Sequence, residues 1–265
     1  MSVVEPAETD PSCVRVRQGV VDIVWMNERR RRNALSLALR KELAACMSAA
    51  LADNATRVIV LAGAGGSFCS GGDIAAMPEL KPSDALERLN NIHALIRMMC
   101  NAGKPIVAAV EGWAVGAGLS LMTACDITVA ASDARFSMPF GKIGLMPDLG
   151  VLHTLTMRIG VGRSRWLAMT GRTISAEQAA EWGLVDDLAP SGQAVMQALQ
   201  LAESIAENAP LSLAATKRAL SRMPWQQDDL LAFEASTQAL LYQTEDFAEG
   251  ARAFFEKRKP VFKGR

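Results

Sequence analysis

The chain of 265 residues is half hydrophobic, and its 28 basic side chains balance 28 acidic ones. That length is enough to bury a sizeable core in one large domain or two small ones. Because the net charge is zero, no overall field attracts nucleic acid or an anionic membrane, so we expect neither as a partner. Five cysteines without a CxxC pair and only two histidines predict reduced thiols, no metal site and a cytoplasmic location.

The N-terminal end is polar and acidic and has no apolar signal core, which predicts a flexible tail over residues 1–12. The longest apolar runs are too short to cross a bilayer, which needs about 20 residues. Runs rich in β-branched residues, each bounded by polar residues or glycine, predict strands over residues 20–25, 58–61, 106–110 and 127–130.

Helical patterns lie between these strands. In the clearest one, Leu39, Leu43, Met47 and Leu51 share one face, and Ser36 is placed to cap the first turn. Strands that alternate with helices predict an α/β fold with buried, largely parallel strand pairing.

Beyond about residue 174 the pattern becomes helical. Ser175 with Gln178 forms a predicted capping box, Gly183 can end that helix, and Asp246 with Glu249 repeats the box. Further helical patterns cover residues 193–208, 211–220 and 230–242. Such helices have faces that they cannot bury alone, so we expect this region to make subunit contacts.

Two glycine-rich segments carry the chemical signal, FCSGGDI at 68–74 and EGWAVGAGLSLMTACDI at 111–127. Each follows a predicted strand, and glycine lets the backbone bend so that its N–H groups face a ligand. Gly116, Ala117 and Gly118 also open a predicted helix, whose N-terminus is partly positive. Either segment alone can be an ordinary turn. Together they predict two backbone donors that converge on a developing oxyanion.

The ordered set of motifs resembles the crotonase (enoyl-CoA hydratase/isomerase) superfamily over about residues 14–264. The resemblance implies a crotonase-like core of ββα spiral turns over 13–192 and a C-terminal helical trimerisation region over 193–265. It also implies a homotrimer or a dimer of trimers, and an acyl-CoA thioester in which coenzyme A is part of the substrate and not a cofactor. The motifs are RRNAL (31–35), FCSGGDI, GWAVGAG (112–118), ACDI (124–127), ARFSMPFGKIGLMPDLG (134–150), AMTGRTISAEQAAEWGLVD (168–186) and EKRKPVFKG (256–264).

The resemblance also implies roles for individual residues. The amides of Gly72 and Ala117 are expected to hold the thioester carbonyl, although the second position is more often glycine in the family. Coenzyme A is expected along Ser70, Gly72, Asp73 and Ile74, with its phosphates near Arg31 and, in the oligomer, near Lys257 or Lys263. The alternative for the run Arg29 to Arg32 is a solvated turn. Met77, Leu86, Met98 and Met99 can line an acyl pocket or can simply be core.

Three positions bear on the reaction. Hydratases of the family use two glutamates to activate water, and the corresponding positions here hold Ser120 and Phe140, which cannot do carboxylate chemistry. Asp148 matches the catalytic aspartate of dienoyl-CoA and epoxyphenylacetyl-CoA isomerases of the family. The resemblance therefore favours an enoyl-CoA isomerase with Asp148 as acid and base, while capping of the following helix is the structural alternative for this residue.

Other readings stay open. One is a hydratase or lyase that holds water through Ser120 or backbone, and another is a non-catalytic binder of acyl-CoA or RNA. A dehalogenase branch of the family needs a histidine base, for which His93 and His153 are the candidates; an apolar helical setting favours a structural role for His153. Asp126 and Asp73 recur across activities in the family, which favours loop-holding roles, and Glu111, just after a strand, is expected to hold its loop too.

Overall fold

The structure, a computed structural model, describes residues 3–77 and 81–265. The strands of this part are β1 (Cys13–Gln18), β2 (Val21–Met26), β3 (Val58–Gly63), β4 (Ile106–Val110), β5 (Trp113–Val115), β6 (Ile127–Ala131), β7 (Arg135–Ser137), β8 (Thr173–Ser175) and β9 (Asp187–Ala189). The α-helices are α1 (Leu37–Ala52), α2 (Pro82–Cys100), α3 (Ala117–Thr123), α4 (Val151–Thr170), α5 (Ala176–Glu181), α6 (Ala194–Ala206), α7 (Pro210–Leu220), α8 (Gln227–Leu241) and α9 (Glu245–Glu256).

The main sheet confirms the predicted α/β class. Its strand order is β1-β2-β3-β4-β6-β9; only the β1–β2 pair is antiparallel, and the remaining pairs are parallel. The four predicted strands correspond to β2, β3, β4 and β6. Every residue of β2, β3 and β4 is buried, which explains their nearly continuous apolar runs. Strand β1 was not predicted because arginines alternate with its apolar residues at the sheet edge. Strands β5, β7, β8 and β9 were missed because they have only three residues each.

Of the side-chain N-caps predicted at Ser36, Ser175 and Asp246, the first two are confirmed. The Ser36 hydroxyl accepts a hydrogen bond from the Leu39 amide at 3.1 Å, and Ser175 accepts one from Gln178 at 3.3 Å. The predicted capping box at Asp246 is wrong, because Thr244 caps α9. The buried Asp246 carboxylate instead accepts the amides of Lys263 and Gly264, which fixes the C-terminal segment against α9.

Both ends of the core have additional contacts. Helix α6, which the sequence places in the C-terminal region, packs on β3, β4 and β6. In the N-terminal segment, for which a flexible tail is predicted, Asn27 donates to the Ala7 carbonyl and Arg30 pairs with Glu8. These contacts attach the segment to the loop after β2, while the division of the chain into three regions stays a prediction. Within the described residues, the helices are all too short or too polar to cross a membrane.

Candidate active site

Two loops leave the core side by side because a short backbone ladder joins them. Cys69 donates its amide to the Trp113 carbonyl at 2.8 Å, and Val115 donates to the Cys69 carbonyl at 3.0 Å. Residues 68–70 therefore run parallel to β5, and the segments 70–72 and 115–117 leave this ladder in the same direction. The ladder brings together the two glycine-rich segments found in the sequence.

Three glycines make this approach possible. Gly71 has a φ of 114° and Gly116 a φ of 54° with ψ −119°, conformations that side chains rarely permit. Gly118 has no conformational requirement of this kind, but it lies directly against Cys69. A β-carbon at position 118 would overlap the Cys69 carbonyl oxygen and lie 2.8 Å from the Cys69 β-carbon. The start of α3 can thus lie on the Cys69 backbone only with glycine at this position.

The amides of Gly72 and Ala117 both lie at this junction. A β-carbon on the neighbouring Gly71 would lie 3.9 Å from the Ala117 nitrogen, so the two loops are in contact there. Across the part of the chain that the structure describes, neither amide donates a hydrogen bond to a protein acceptor. Two such donors on adjoining loops suit a negatively charged oxygen, which is the role predicted for them.

Asp148 lies just before α4 but does not cap it. Gly150 is the N-cap and no side chain bonds to the first turn, while the Val151 amide donates to the Asp148 backbone carbonyl at 3.2 Å. The Oδ1 atom of Asp148 is buried and has no hydrogen-bond partner. A buried carboxylate oxygen without a partner is costly, and its presence calls for a functional explanation. The capping alternative is therefore wrong for the side chain.

Burial raises the pKa of Asp148 above its ordinary value, and the neighbouring side chains of Arg40, His93 and Arg88 oppose that rise in part. Of the two candidate histidines, His93 on α2 is the one close to this carboxylate. His153 is exposed on α4, so the apolar surroundings expected for it are wrong. A carboxylate with a raised pKa is a stronger base once ionised.

Ser120 and Phe140 are the residues that we expect at the two glutamate positions of the hydratases. Ser120 is fully buried, and its hydroxyl donates to the Gly116 carbonyl one turn earlier in α3 at 3.3 Å. The Phe140 ring lies 3.8 Å from the β-carbon position of Gly116 and so covers the second loop. Ser120 supports the helix and Phe140 supplies an apolar wall.

The residues predicted to bind coenzyme A lie together. The Ser70 hydroxyl donates to the Arg31 carbonyl at 2.9 Å, and Arg31 pairs with Asp73 at 2.7 Å. Ile74 begins a short 3₁₀ helix and its side chain is exposed. Their grouping is shown here, while contact with coenzyme A stays a prediction.

The remaining arginines of the run differ from Arg31. Arg29 donates to the Asn27 side chain and to the Pro6 carbonyl, and Arg30 pairs with Glu8. These two side chains hold the N-terminal segment, while a phosphate contact anywhere in the arginine run stays a prediction. Asn33, which sequence reasoning missed, is buried and fixes the loop by donating to the carbonyls of Ala64 and Ser67.

Two of the acids expected to be structural have partners that fit that role. Asp126 accepts the Ile106 amide and pairs with the buried Lys217, both at 2.7 Å. Glu111 accepts the amides of Gly192 and Ala194 and so fixes the start of α6. No group of three or more His, Cys, Asp or Glu side chains that suits a metal ion occurs in residues 3–77 and 81–265.

Arg40 and Arg88 were also missed. Arg40 comes directly after Leu39, the first residue of the buried face of α1, so the sequence pattern predicts a solvated side chain. Arg88 could have been found from the sequence. It precedes the buried Ile92 and Ile96 by four and eight residues, a spacing that places it on the apolar face of α2.

Comparisons with known proteins bear on the family of the chain. The family model described as enoyl-CoA hydratase/isomerase matches residues 15–265. The chain is 38% identical over 253 residues to a 2,3-dehydroadipyl-CoA hydratase of Escherichia coli, covering 94% of this chain and 97% of the relative. It is 34% identical to a 1,2-epoxyphenylacetyl-CoA isomerase of the same organism, with 94% and 97% covered.

The fold agrees as well. A crystal structure of an enoyl-CoA hydratase from Bacillus anthracis superimposes with a TM-score of 0.92 at 32% identity, covering 96% of this chain and all of that one. This likeness confirms the crotonase-type core and the C-terminal helices that the motifs predicted. Because the family model matches the chain along almost its whole length, the chain belongs to the enoyl-CoA hydratase/isomerase family.

Proposed function

We propose that this protein is an enoyl-CoA isomerase that moves a double bond or opens a ring epoxide of an acyl-CoA thioester. The observation that carries the proposal is the set of side chains at the three reactive positions. Asp148 supplies a buried carboxylate oxygen with no partner, whereas Ser120 and Phe140 offer no carboxylate for activating water.

The double-bond shift needs one base and one anion site. The Asp148 carboxylate removes a proton from the α-carbon of a 3-enoyl thioester, and the electron pair moves onto the thioester oxygen as a dienolate. The amides of Gly72 and Ala117 stabilise that oxygen. The protonated Asp148 then returns the proton to the γ-carbon, and the electrons form the 2,3 double bond. No water is consumed and Asp148 is regenerated.

The surroundings of Asp148 support this role. Burial raises its pKa and makes it a stronger base, while the positive charge of Arg40 opposes part of that rise. No separate cofactor enters the proposed reaction, since coenzyme A is part of the substrate.

A second candidate is hydration, which the names of several relatives favour, including those from Escherichia coli, Thermus thermophilus and Clostridium acetobutylicum. In this chain the water would have to be held by Ser120 or by backbone. Ser120 is poorly suited because it is fully buried and its hydroxyl is engaged by Gly116. Under the isomerase proposal, Ser120→Ala keeps turnover within about threefold. Under hydration through Ser120, the same substitution removes hydratase activity.

The deciding experiment compares wild type with Asp148→Asn on a 3-enoyl-CoA and on crotonyl-CoA, following double-bond migration and hydration separately. We expect wild type to isomerise, and the variant to bind coenzyme A normally while losing about 10²- to 10⁴-fold in turnover. Asp229→Asn, on the exposed start of α8, is the matched control. Strong hydration of crotonyl-CoA that survives in Asp148→Asn would overturn the proposal.

We also propose that the C-terminal helices bind second copies of this chain. Helix α8 has no buried residue, and Leu240, Phe254 and Phe255 are 73–82% exposed on α8 and α9. Exposed apolar patches of this kind mark surfaces that contact another protein chain. A trimer or a dimer of trimers and a cytoplasmic location remain our predictions, as does the absence of RNA binding.

A further inference from the structure

Among the described residues, two arginine side chains lie beside Asp148 without an acidic partner. Arg40 donates its Nε to the Leu35 carbonyl at 2.9 Å, and its Nη2 lies 3.9 Å from the position that a β-carbon would take on Gly72. The Nη2 of Arg88 is buried and has no hydrogen-bond partner. Neither guanidinium forms an ion pair with any acid in residues 3–77 and 81–265.

The position of Arg88 in α2 is unusual for a charged side chain. It lies on the helix face that buries Ile92 and Ile96. The loop that carries Asp148 packs on this same face, since the β-carbon position of Gly150 is 3.9 Å from Cγ2 of Ile96. A guanidinium withdrawn from water costs free energy unless an anion compensates it. The fold therefore points Arg88 to the space next to the reactive carboxylate.

The two arginines act on each other. The pKa of Arg40 falls to about 10, first because of burial and next because of the positive charge of Arg88, and the charge of Asp148 opposes this fall. The charge of Asp73 opposes the fall as well, but that carboxylate is already paired with Arg31. Among the described residues this leaves Asp148 beside two guanidinium groups that form no ion pair, and one additional anion would balance the charges there.

We propose that Arg40 and Arg88 bind a carboxylate at the far end of the acyl group, so that the substrate is a coenzyme A monothioester of a dicarboxylic acid. Guanidinium groups bind carboxylates through paired N–H donors, which suits two unpaired arginines. The inference rests on the proposed function, because it places the acyl group between Gly72, Ala117 and Asp148. The phosphates of coenzyme A are expected elsewhere, near Arg31.

The test measures binding of saturated thioesters, which cannot isomerise or hydrate. Wild type is titrated with succinyl-, glutaryl- and adipoyl-CoA and with the length-matched butyryl-, pentanoyl- and hexanoyl-CoA by calorimetry. At the length that fits, we expect the dicarboxylic thioester to bind at least tenfold more tightly than its neutral match. Tighter binding of the neutral thioester at every length would overturn the inference.

Arg88→Met is the diagnostic variant, because it removes the charge and adds no unpaired polar group. We expect it to lose the preference for the dicarboxylic thioester, to keep the affinity for free coenzyme A, and to unfold at the same or a higher temperature. Arg88→Lys should retain part of the preference. Arg97→Met, on the exposed side of the same helix, is the matched control and should leave the preference unchanged.

A different pattern would assign the arginines to another anion. If Arg88→Met weakens free coenzyme A and all six thioesters equally, the two arginines bind the phosphates of coenzyme A and the inference is wrong. The result is independent of which reaction the enzyme performs, since binding is measured without turnover. Failure of the isomerase proposal and failure of this inference are therefore distinguishable.

Discussion

Gly118 at the start of α3 lies in direct contact with the backbone of Cys69, which is held against β5 by two backbone hydrogen bonds. This contact sets the distance between the loop that contains Gly72 and the loop that contains Ala117. The two candidate oxyanion donors are thus placed by a residue that is neither of the two donors.

The Gly118–Cys69 contact predicts a large effect from one methyl group. We expect Gly118→Ala to separate the two loops and lower kcat/KM by about 10²- to 10³-fold, the cost of losing one oxyanion donor. Circular dichroism and a thiol-independent thermal unfolding assay would show whether the fold is kept. Gly162→Ala in α4, where no atom lies within 4 Å of the new methyl group, is the control and should retain full activity. Normal activity in Gly118→Ala would show that the spacing of the loops does not matter.

Asp148 predicts the acidic limb of the pH profile. A base must be ionised, so activity falls as the pH drops through the raised pKa of this carboxyl group, at a higher pH than for an exposed aspartate. Arg88 lowers that pKa, and Arg88→Met should therefore move the limb to higher pH. Profiles of kcat/KM on a neutral 3-enoyl-CoA measure the shift. A limb that stays in place would mean that Asp148 does not set it.

The ion pair between Asp126 and Lys217 predicts that substitutions of these two residues have coupled effects on the free energy of unfolding. Lys217 is almost entirely buried, and it joins α7 to the sheet through Asp126 and the Lys104 carbonyl. We expect Asp126→Asn to lower the free energy of unfolding by about 3 kcal/mol, because it leaves a buried ammonium without its anion. Urea denaturation measures the loss. The double variant with Lys217→Met should recover part of it, and simple additivity of the two losses would contradict the coupling.

The exposed phenylalanines of α9 predict self-association. Sedimentation of wild type should give three or six copies, whereas Phe255→Asp should shift the population toward single chains because it places a charge on an apolar surface. Asn54→Asp, at an exposed turn position outside the C-terminal helices, is the control for an added negative charge. A wild-type protein that sediments as a single chain at micromolar concentration would contradict this prediction.

Much of this protein could be predicted from local patterns. The continuous apolar runs of β2, β3, β4 and β6 indicated a buried parallel sheet because both sheet faces exclude water. Ser36 and Ser175 predicted helix starts, because an N-cap needs only a hydroxyl that accepts from an amide three residues later. The two glycine-rich segments were recognisable because strained or closely packed backbone tolerates few other residues.

Tertiary structure decided what no local pattern contains. Thr244 and not Asp246 caps α9, because the Asp246 carboxylate is engaged by the chain end, seventeen or eighteen residues later. Arg40 and Arg88 meet at Asp148 only because α1, α2 and the loop before α4 pack together. Charge and burial at the candidate site depend on these long-range contacts. The sequence alone determined the family and the two glycine-rich loops, and the packing of the helices decided which charges surround the Asp148 carboxylate.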